Sequence, residues 1–328
     1  MLAAVTSSLV ACGGGTTTPA ASAAASEEAT SEASHRTPGP SPTLAPGVLA
    51  TIRARSPMNL TATDDTIWVE GHGLVLGRFA PAADQEVSFL TEVASHCDIA
   101  AGAGAVWAAD AGLGVVTKVD PTTGAVLGTI ELKDACGLEA DDADLWVASP
   151  GLNAVFRYDP SSLEQTASID LGANAFWVAT GPEGVWAAGE ANGGTTYRID
   201  PESGTVVAEI ATPNPFSSGL EVGFGAAWVP ARDAKVIYRI DPATNSLAAT
   251  ITLPSSIGGI AIGSAAIWAS GWGDGMVYRI DPATNQITGT LATGYGNLAR
   301  PLEAFDSVWV SDYDRNLILR LDPDAFGG

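Results

Sequence analysis

The octapeptide "YRIDPATN" stands at residues 238–245 and again at 278–285, forty residues apart. An identical stretch at that distance is either one duplicated loop or a unit of a repeating chain. The rest of the sequence decides. Trp68, Trp107, Trp146, Trp186, Trp228, Trp268 and Trp309 follow one another at intervals of 39, 39, 40, 42, 40 and 41 residues. Asp-Pro pairs keep the same beat at Asp120, Asp159, Asp200, Asp241, Asp281 and Asp322, with Ala80 before Pro81 in the first unit. Seven units of about forty residues indicate a solenoid or a propeller.

Within the sixth unit, "GIAIG", "AIWAS", "MVYRID" and "ITGTLAT" alternate or cluster apolar residues as short strands do. They are separated by "SA", "GWGDG" and "PATNQ", whose Gly, Pro, Asn and Asp are turn residues. No stretch after Pro46 combines a 3.6-residue period with helix caps. The sequence therefore predicts an all-β fold, a seven-bladed β-propeller of four-stranded antiparallel blades. "DPATN" is the turn between the third and fourth strands, so the octapeptide is scaffold. The seventh unit ends one strand short. The missing strand stands at residues 47–54, "GVLATIRA", which matches "LAATITL" and should complete the last blade and close the ring without an open edge.

The repeat also assigns roles. The seven periodic Trp belong to the core, where burying one removes about 150–250 Å² from water. A basic residue two places before each Asp or its equivalent (Arg78, Lys118, Arg157, Arg198, Arg239, Arg279, Arg320) recurs in every unit, so structural pairing is its expected role.

The chain has 328 residues, 15 of them basic and 37 acidic, for a formal charge of −22. Such a surface repels phosphate backbones and anionic lipid, so nucleic acid is not an expected partner. Residues 1–12 read "MLAAVTSSLVAC". Their short apolar run suits a signal peptide and is too short to span a bilayer. "LVAC" resembles the bacterial lipoprotein signal, which implies cleavage before Cys12 and a lipid on that residue. Residues 13–46 are small, polar and Pro-rich, a tether by composition. The expected layout is a signal at 1–12, a tether at 13–46 and a propeller at 47–328, held outside a bacterial cell membrane through the lipid on Cys12.

The unit "AIWAS…VYRIDPATN…ITGTLATG" resembles the repeats of streptogramin (virginiamycin B) lyases and of YVTN-type propellers over residues 48–326. The lyase resemblance implies two His and two Glu around a magnesium ion, opening a cyclic peptide ester by elimination. In this chain "EGH" supplies Glu70 and His72 in the corresponding local pattern. His96 is the remaining His outside the tether, since His35 lies within it.

In a four-stranded meander the D–A connections and B–C turns share one face, and residues there that break the repeat are site candidates. Ten residues before each Trp stand Met58, Cys97, Cys136, Phe176, Ser218 and Gly258, with Arg300 following if the seventh unit carries a one-residue deletion. Phe176, Trp177, Phe216, Trp272, Tyr295 and Tyr313, with Asp274, Arg300 and Asp312, form a candidate ligand-binding set on this face. The same rings could equally plug the channel or pack loops. Asp314 and Arg315 stand close by in sequence. Glu139, Glu221 and Glu303 recur in alternate blades and are candidate ligands for a divalent cation, calcium or magnesium, unless Arg300 balances them. His72 and His96, near Asp98 and Asp110, are candidates for acid–base or metal chemistry together with Glu70. Cys97 and Cys136 occupy equivalent places in adjacent blades. They can pair in an exported protein if their Cα atoms lie within about 7 Å. The leading expectation is a binding module for a small molecule, glycan, peptide or protein. The alternative is a metal-assisted lyase or hydrolase built on Glu70, His72 and His96.

Overall fold

The fold is described from a computed structural model, for residues 43–71, 75–82, 86–182, 184–189, 194–214 and 219–327. Seven separate four-stranded antiparallel sheets account for every strand. Blade two shows the plan: strand A, Asp98–Gly102, then B, Ala105–Asp110, then C, Val115–Val119, then D, Val126–Glu131, each hydrogen-bonded to the next. Strand B is buried along its whole length, whereas D is mostly exposed and buries Ile130 alone. That gradient follows from position, since B is packed on both faces and D ends at solvent.

The periodic Trp lie at the centre of strand B and are at most 2% exposed. Each apolar cluster draws residues from two neighbouring blades. One unites Trp107 and Ile130 of blade two with Leu138, Leu145 and Phe156 of blade three. A blade alone would leave both faces wet, so each needs its neighbours.

The repeated cations bind the blades to one another. Arg78, Lys118, Arg157, Arg198, Arg239 and Arg320 each lie over the Trp of their own blade, 5.3–5.6 Å from the ring. From there each reaches the C–D turn of the next blade. Lys118 donates to the Pro160 carbonyl at 2.7 Å, Arg157 to that of Pro201 at 3.0 Å and Arg239 to the Asn285 amide oxygen at 3.5 Å. Arg320 of blade seven carries the series across the seam by donating to the Pro81 carbonyl of blade one.

Ring closure follows the sequence expectation. Val48–Arg53 lies antiparallel to Leu317–Leu321 as the outer strand of the last blade, with Ile52 facing Ile318. Cys97 and Cys136 form a disulfide with Cα atoms 5.0 Å apart. Both stand just before the A strands of adjacent blades, where the strands are closest to the axis and so to each other.

Two outcomes follow. Ile52→Asn places an amide against Ile318 and Trp309 and should lower the thermal midpoint by several degrees, whereas Arg53→Asn, on the exposed side of the same strand, should leave it unchanged. Replacing both cysteines with serine should cost roughly 4 kcal/mol in denaturant unfolding, from the loop the bridge closes.

Candidate functional site

Strand A begins at the mouth of the central channel, and the residue nine places before each Trp marks one position around it. In chain order these residues are Asn59, Asp98, Gly137, Trp177, Gly219, Gly259 and Arg300. Four blades supply long side chains and three supply glycine. The glycines make room. A Cβ on Gly137 would sit 2.7 Å from the Trp177 Cα, and one on Gly259 would sit 2.7 Å from the Arg300 Cα. Gly219 adds a backbone angle of φ +99°, which favours glycine.

Arg300 is the hub. It starts on blade seven, yet its guanidinium donates from Nε to Glu221 Oε1 of blade five at 3.1 Å and pairs with Asp98 of blade two at 3.7 Å. It also lies 5.7 Å from the ring of Trp177 on blade four. A side chain that touches blades two, four and five from blade seven has to cross the channel. Burial opposes its charge, but the Glu221 and Asp98 carboxylates outweigh that and hold its pKa above the usual range.

The surrounding acids respond to the same burial. Asp98, 1% exposed, is pushed up to about 6 by burial, although Arg300 and the Leu138 and Ile99 amides counteract the shift. Glu139 of blade three is pushed up to about 8 by burial, then by the nearby Glu221, with Arg300 opposing. Glu70 lies near the end of strand B of blade one, Ile67–Gly71, two places after Trp68, where the other blades carry Ala, Pro or Ser. It is 2% exposed, and its Oε2 accepts from the Asn59 side-chain amide at 3.2 Å. Burial pushes Glu70 up to about 8 against the Asn59 hydrogen bonds, so its carboxyl is largely protonated at neutral pH.

Glu70 and Arg300 border a cavity of about 270 Å³, whose walls also include Met58, Asn59, His96 and Trp177. The cavity draws on both sets of sequence candidates, Trp177 and Arg300 from the binding set and Glu70 and His96 from the catalytic one. Cys97 of the disulfide and Arg232 also line it. Asn59 and Arg232 escaped sequence reasoning. The signal for Asn59 was available at the ninth position before Trp68, whereas Arg232 belongs to a B–C turn and breaks no repeat.

Several expectations are corrected. Arg300 needs no deletion in its unit, because Pro301 faces Val310 and Leu302 faces Trp309 in the register of the other blades. It therefore ranks with Trp177 and Asp98 rather than with Phe176 and Cys97. The same register removes Glu303 from the channel. Glu139 faces Trp146 and Glu221 faces Trp228, but Glu303 faces Val308, one residue on. One step along a strand turns a side chain to the other face. Glu303 instead accepts from the Trp268 indole and the Ser264 amide. The three Glu thus share no site, and Arg300 stands between Glu221 and Asp98. Among the described residues no group of three or more His, Cys, Asp or Glu is placed to hold a metal ion.

The aromatic set also divides. Trp272 is capped by the Arg232 guanidinium, 4.6 Å from its ring, one layer out from the cavity. Asp274 accepts from the Tyr278 hydroxyl and the Met276 amide, and so holds its own turn. Asp312 is fully buried and accepts from the Gly296 and Arg315 amides. Tyr295 lies 5.3 Å from the Arg315 guanidinium. Asp314 accepts from the Asn297 side chain. Tyr313 is half-buried, with its amide donating to the Asn297 carbonyl. Phe176 is half-buried, and its carbonyl accepts from the Gly137 amide. Asp110 holds the Leu113 amide of its B–C turn. His72, Phe216 and Ser218 lie outside the described residues, as does Cys12.

No protein-family profile and no curated protein matches the sequence. Solved structures do match the fold. Virginiamycin B lyase from Staphylococcus aureus aligns with a TM-score of 0.71 at 15% identity, over 83% of this chain and 98% of that one. A streptogramin B lyase aligns with a TM-score of 0.71 at 16% identity, over 85% and 97%. A catalytically inactive form of the Staphylococcus aureus enzyme with quinupristin aligns with a TM-score of 0.68 at 17% identity, over 81% and 94%. The chain shares the seven-bladed propeller fold of these streptogramin lyases.

Proposed function

We propose that the chain is an exported, lipid-anchored binding propeller that takes a small, largely apolar ligand at the channel mouth, in the cavity beside Trp177. The observation that carries this reading is the make-up of that cavity. Met58, Trp177, Gly258 and Ala299 give an apolar wall, and a few convergent polar groups, Asn59, Glu70 and Arg300, lie beside it. Ligand sites typically have that composition, and about 270 Å³ stands at the small end of their range. A neutral Glu70 carboxyl offers a hydrogen bond to an acceptor on the ligand. Export rests on the leader at 1–12 and agrees with a disulfide, which persists in oxidising compartments.

A second reading rests on Glu70 and His96 lining one cavity in a lyase-like fold. Glu70, pushed up to about 8, has a carboxyl suited to proton transfer near neutral pH. The binding reading is favoured because Glu303 is turned away and the polar hub is a closed network of Arg300 with Glu221 and Asp98.

Two outcomes separate the readings. In a ligand-observed NMR screen of aromatic fragments, the Trp177→Ala variant should lose binding by about tenfold or more; fragments held equally by both proteins would reject the site. Quinupristin incubated with the protein and magnesium or calcium should stay intact. Ring opening that Glu70→Gln abolishes would establish the lyase reading instead. Stability should also depend on pH in a stated direction. Raised carboxyl pKa values mean that the folded state holds protons the unfolded chain has released, so stability falls as pH rises through about 6 for Asp98 and about 8 for Glu70 and Glu139. Glu139→Gln should flatten the upper part of that decline in thermal unfolding.

A further inference from the structure

The octapeptide of blades five and six is identical, yet its arginine behaves differently in the two. Arg239 lies over Trp228 and reaches Asn285 of the next blade. Arg279 does neither. Among the described residues its guanidinium makes no hydrogen bond, close ion pair or ring contact, so that it is the one repeat cation of the seven neither stacked nor hydrogen-bonded, and only its charge reaches the Glu303 and Asp281 carboxylates. Two features of blade seven explain this. Phe326 packs against Trp268, with ring centres 4.7 Å apart. Strand D of this blade comes from the N-terminus, so the place of the C–D turn that should receive Arg279 is taken by the tail after strand C, a short 3-10 turn at Pro323–Ala325 whose N-terminal Asp322 bonds the Asp324 amide. Glu303 joins the two blades in the reverse sense, reaching back to Trp268 and Ser264.

The cation is thereby left in a groove of about 590 Å³ on the face formed by the A–B and C–D turns, opposite the channel mouth described above. Trp268, Arg279, Glu303, Asp306, Ser307 and Asp322 are among its walls. Glu303 is occupied by its own hydrogen bonds, and Asp306 is exposed at a tight turn with φ +52°. A lone anion would approach Arg279 past these carboxylates, and a lone cation would meet the guanidinium. A ligand bearing both charges satisfies both.

We propose that this groove binds a small α-ammonium carboxylate, a free amino acid with an apolar side chain. Its carboxylate takes the two-pronged fork of Arg279, a geometry that suits guanidinium and carboxylate. Its ammonium faces Asp306 and Asp322, and its side chain lies toward Ala265 and Phe305, which also line the groove. The site is separate from the channel mouth.

The test is calorimetric titration of the whole chain with leucine, with 4-methylpentanoate, which lacks the ammonium, and with 3-methylbutylamine, which lacks the carboxylate. Leucine should bind and each half-molecule should bind at least tenfold more weakly. Arg279→Gln should weaken leucine by tenfold or more, the size expected for one charge-assisted contact. Asp306→Asn, which tolerates the same backbone angle, should weaken it several-fold, and Trp177→Ala should not change it. Arg279→Gln should nearly keep the native thermal midpoint, because that side chain makes no hydrogen bond or ring contact and loses only a solvent-screened attraction to Glu303 and Asp281, whereas Arg239→Gln should lower it. Absence of leucine binding, equal binding of 4-methylpentanoate, or unchanged affinity in Arg279→Gln would overturn the proposal.

Discussion

A four-stranded blade is apolar on both faces, and only two flanking blades can cover them. Everything else in this molecule follows from that constraint. The Trp at the centre of each strand B fills the space between blades, and at no more than 2% exposure these side chains are part of a closed circuit of packing. Lys or Arg lies over six of those rings and binds a C–D turn of the following blade, so the apolar contact and the polar staple share one side-chain pair. The ring gains nothing until it closes. For that reason Val48–Arg53 pairs with Leu317–Leu321, and Arg320 reaches Pro81 across the seam.

Because the repeat carries the fold, positions outside its rules are free to vary, and the site is made of them. The ninth residue before each Trp is Asn, Asp, Gly, Trp, Gly, Gly and Arg in turn. Large groups at Trp177 and Arg300 fit because glycines stand at 137 and 259 in the preceding blades. Three acids, Asp98, Glu139 and Glu221, would destabilise the channel by repulsion and lost hydration. Arg300 offsets this by crossing the axis to Glu221 and Asp98, and the rest is relieved by the proton held on Glu139. The channel mouth is therefore polar at its floor and apolar along its wall.

Most of the architecture was legible in the sequence, for a physical reason. Trp spacing and Asp-Pro turns report contacts that every blade must make, and seven copies of a weak signal make a strong one. Positions near the axis were legible only as positions. Position in the repeat brought His96, Trp177 and Arg300 to one face and the lyase-like "EGH" pointed to Glu70, but neither could tell that Asp274 and Asp312 would be spent on their own turns. Glu303 shows how narrow the margin is, since one residue of register turns it from the channel to the Trp268 indole. The identical octapeptides are the clearest case. Residues 238–245 and 278–285 cannot differ by themselves, and the fate of Arg279 is decided by the turn at Asp322 and by Phe326, some forty residues later.

Arg300 ties blade seven to blade five through Glu221 across the channel. A double-mutant cycle tests it most directly, with Arg300→Gln, Glu221→Gln and the pair compared by denaturant unfolding. The coupling should be about 1 kcal/mol or more, as for residues sharing one charge network. Additive single effects, agreeing to within about 0.3 kcal/mol, would show that the two side chains do not meet across the axis and would contradict it.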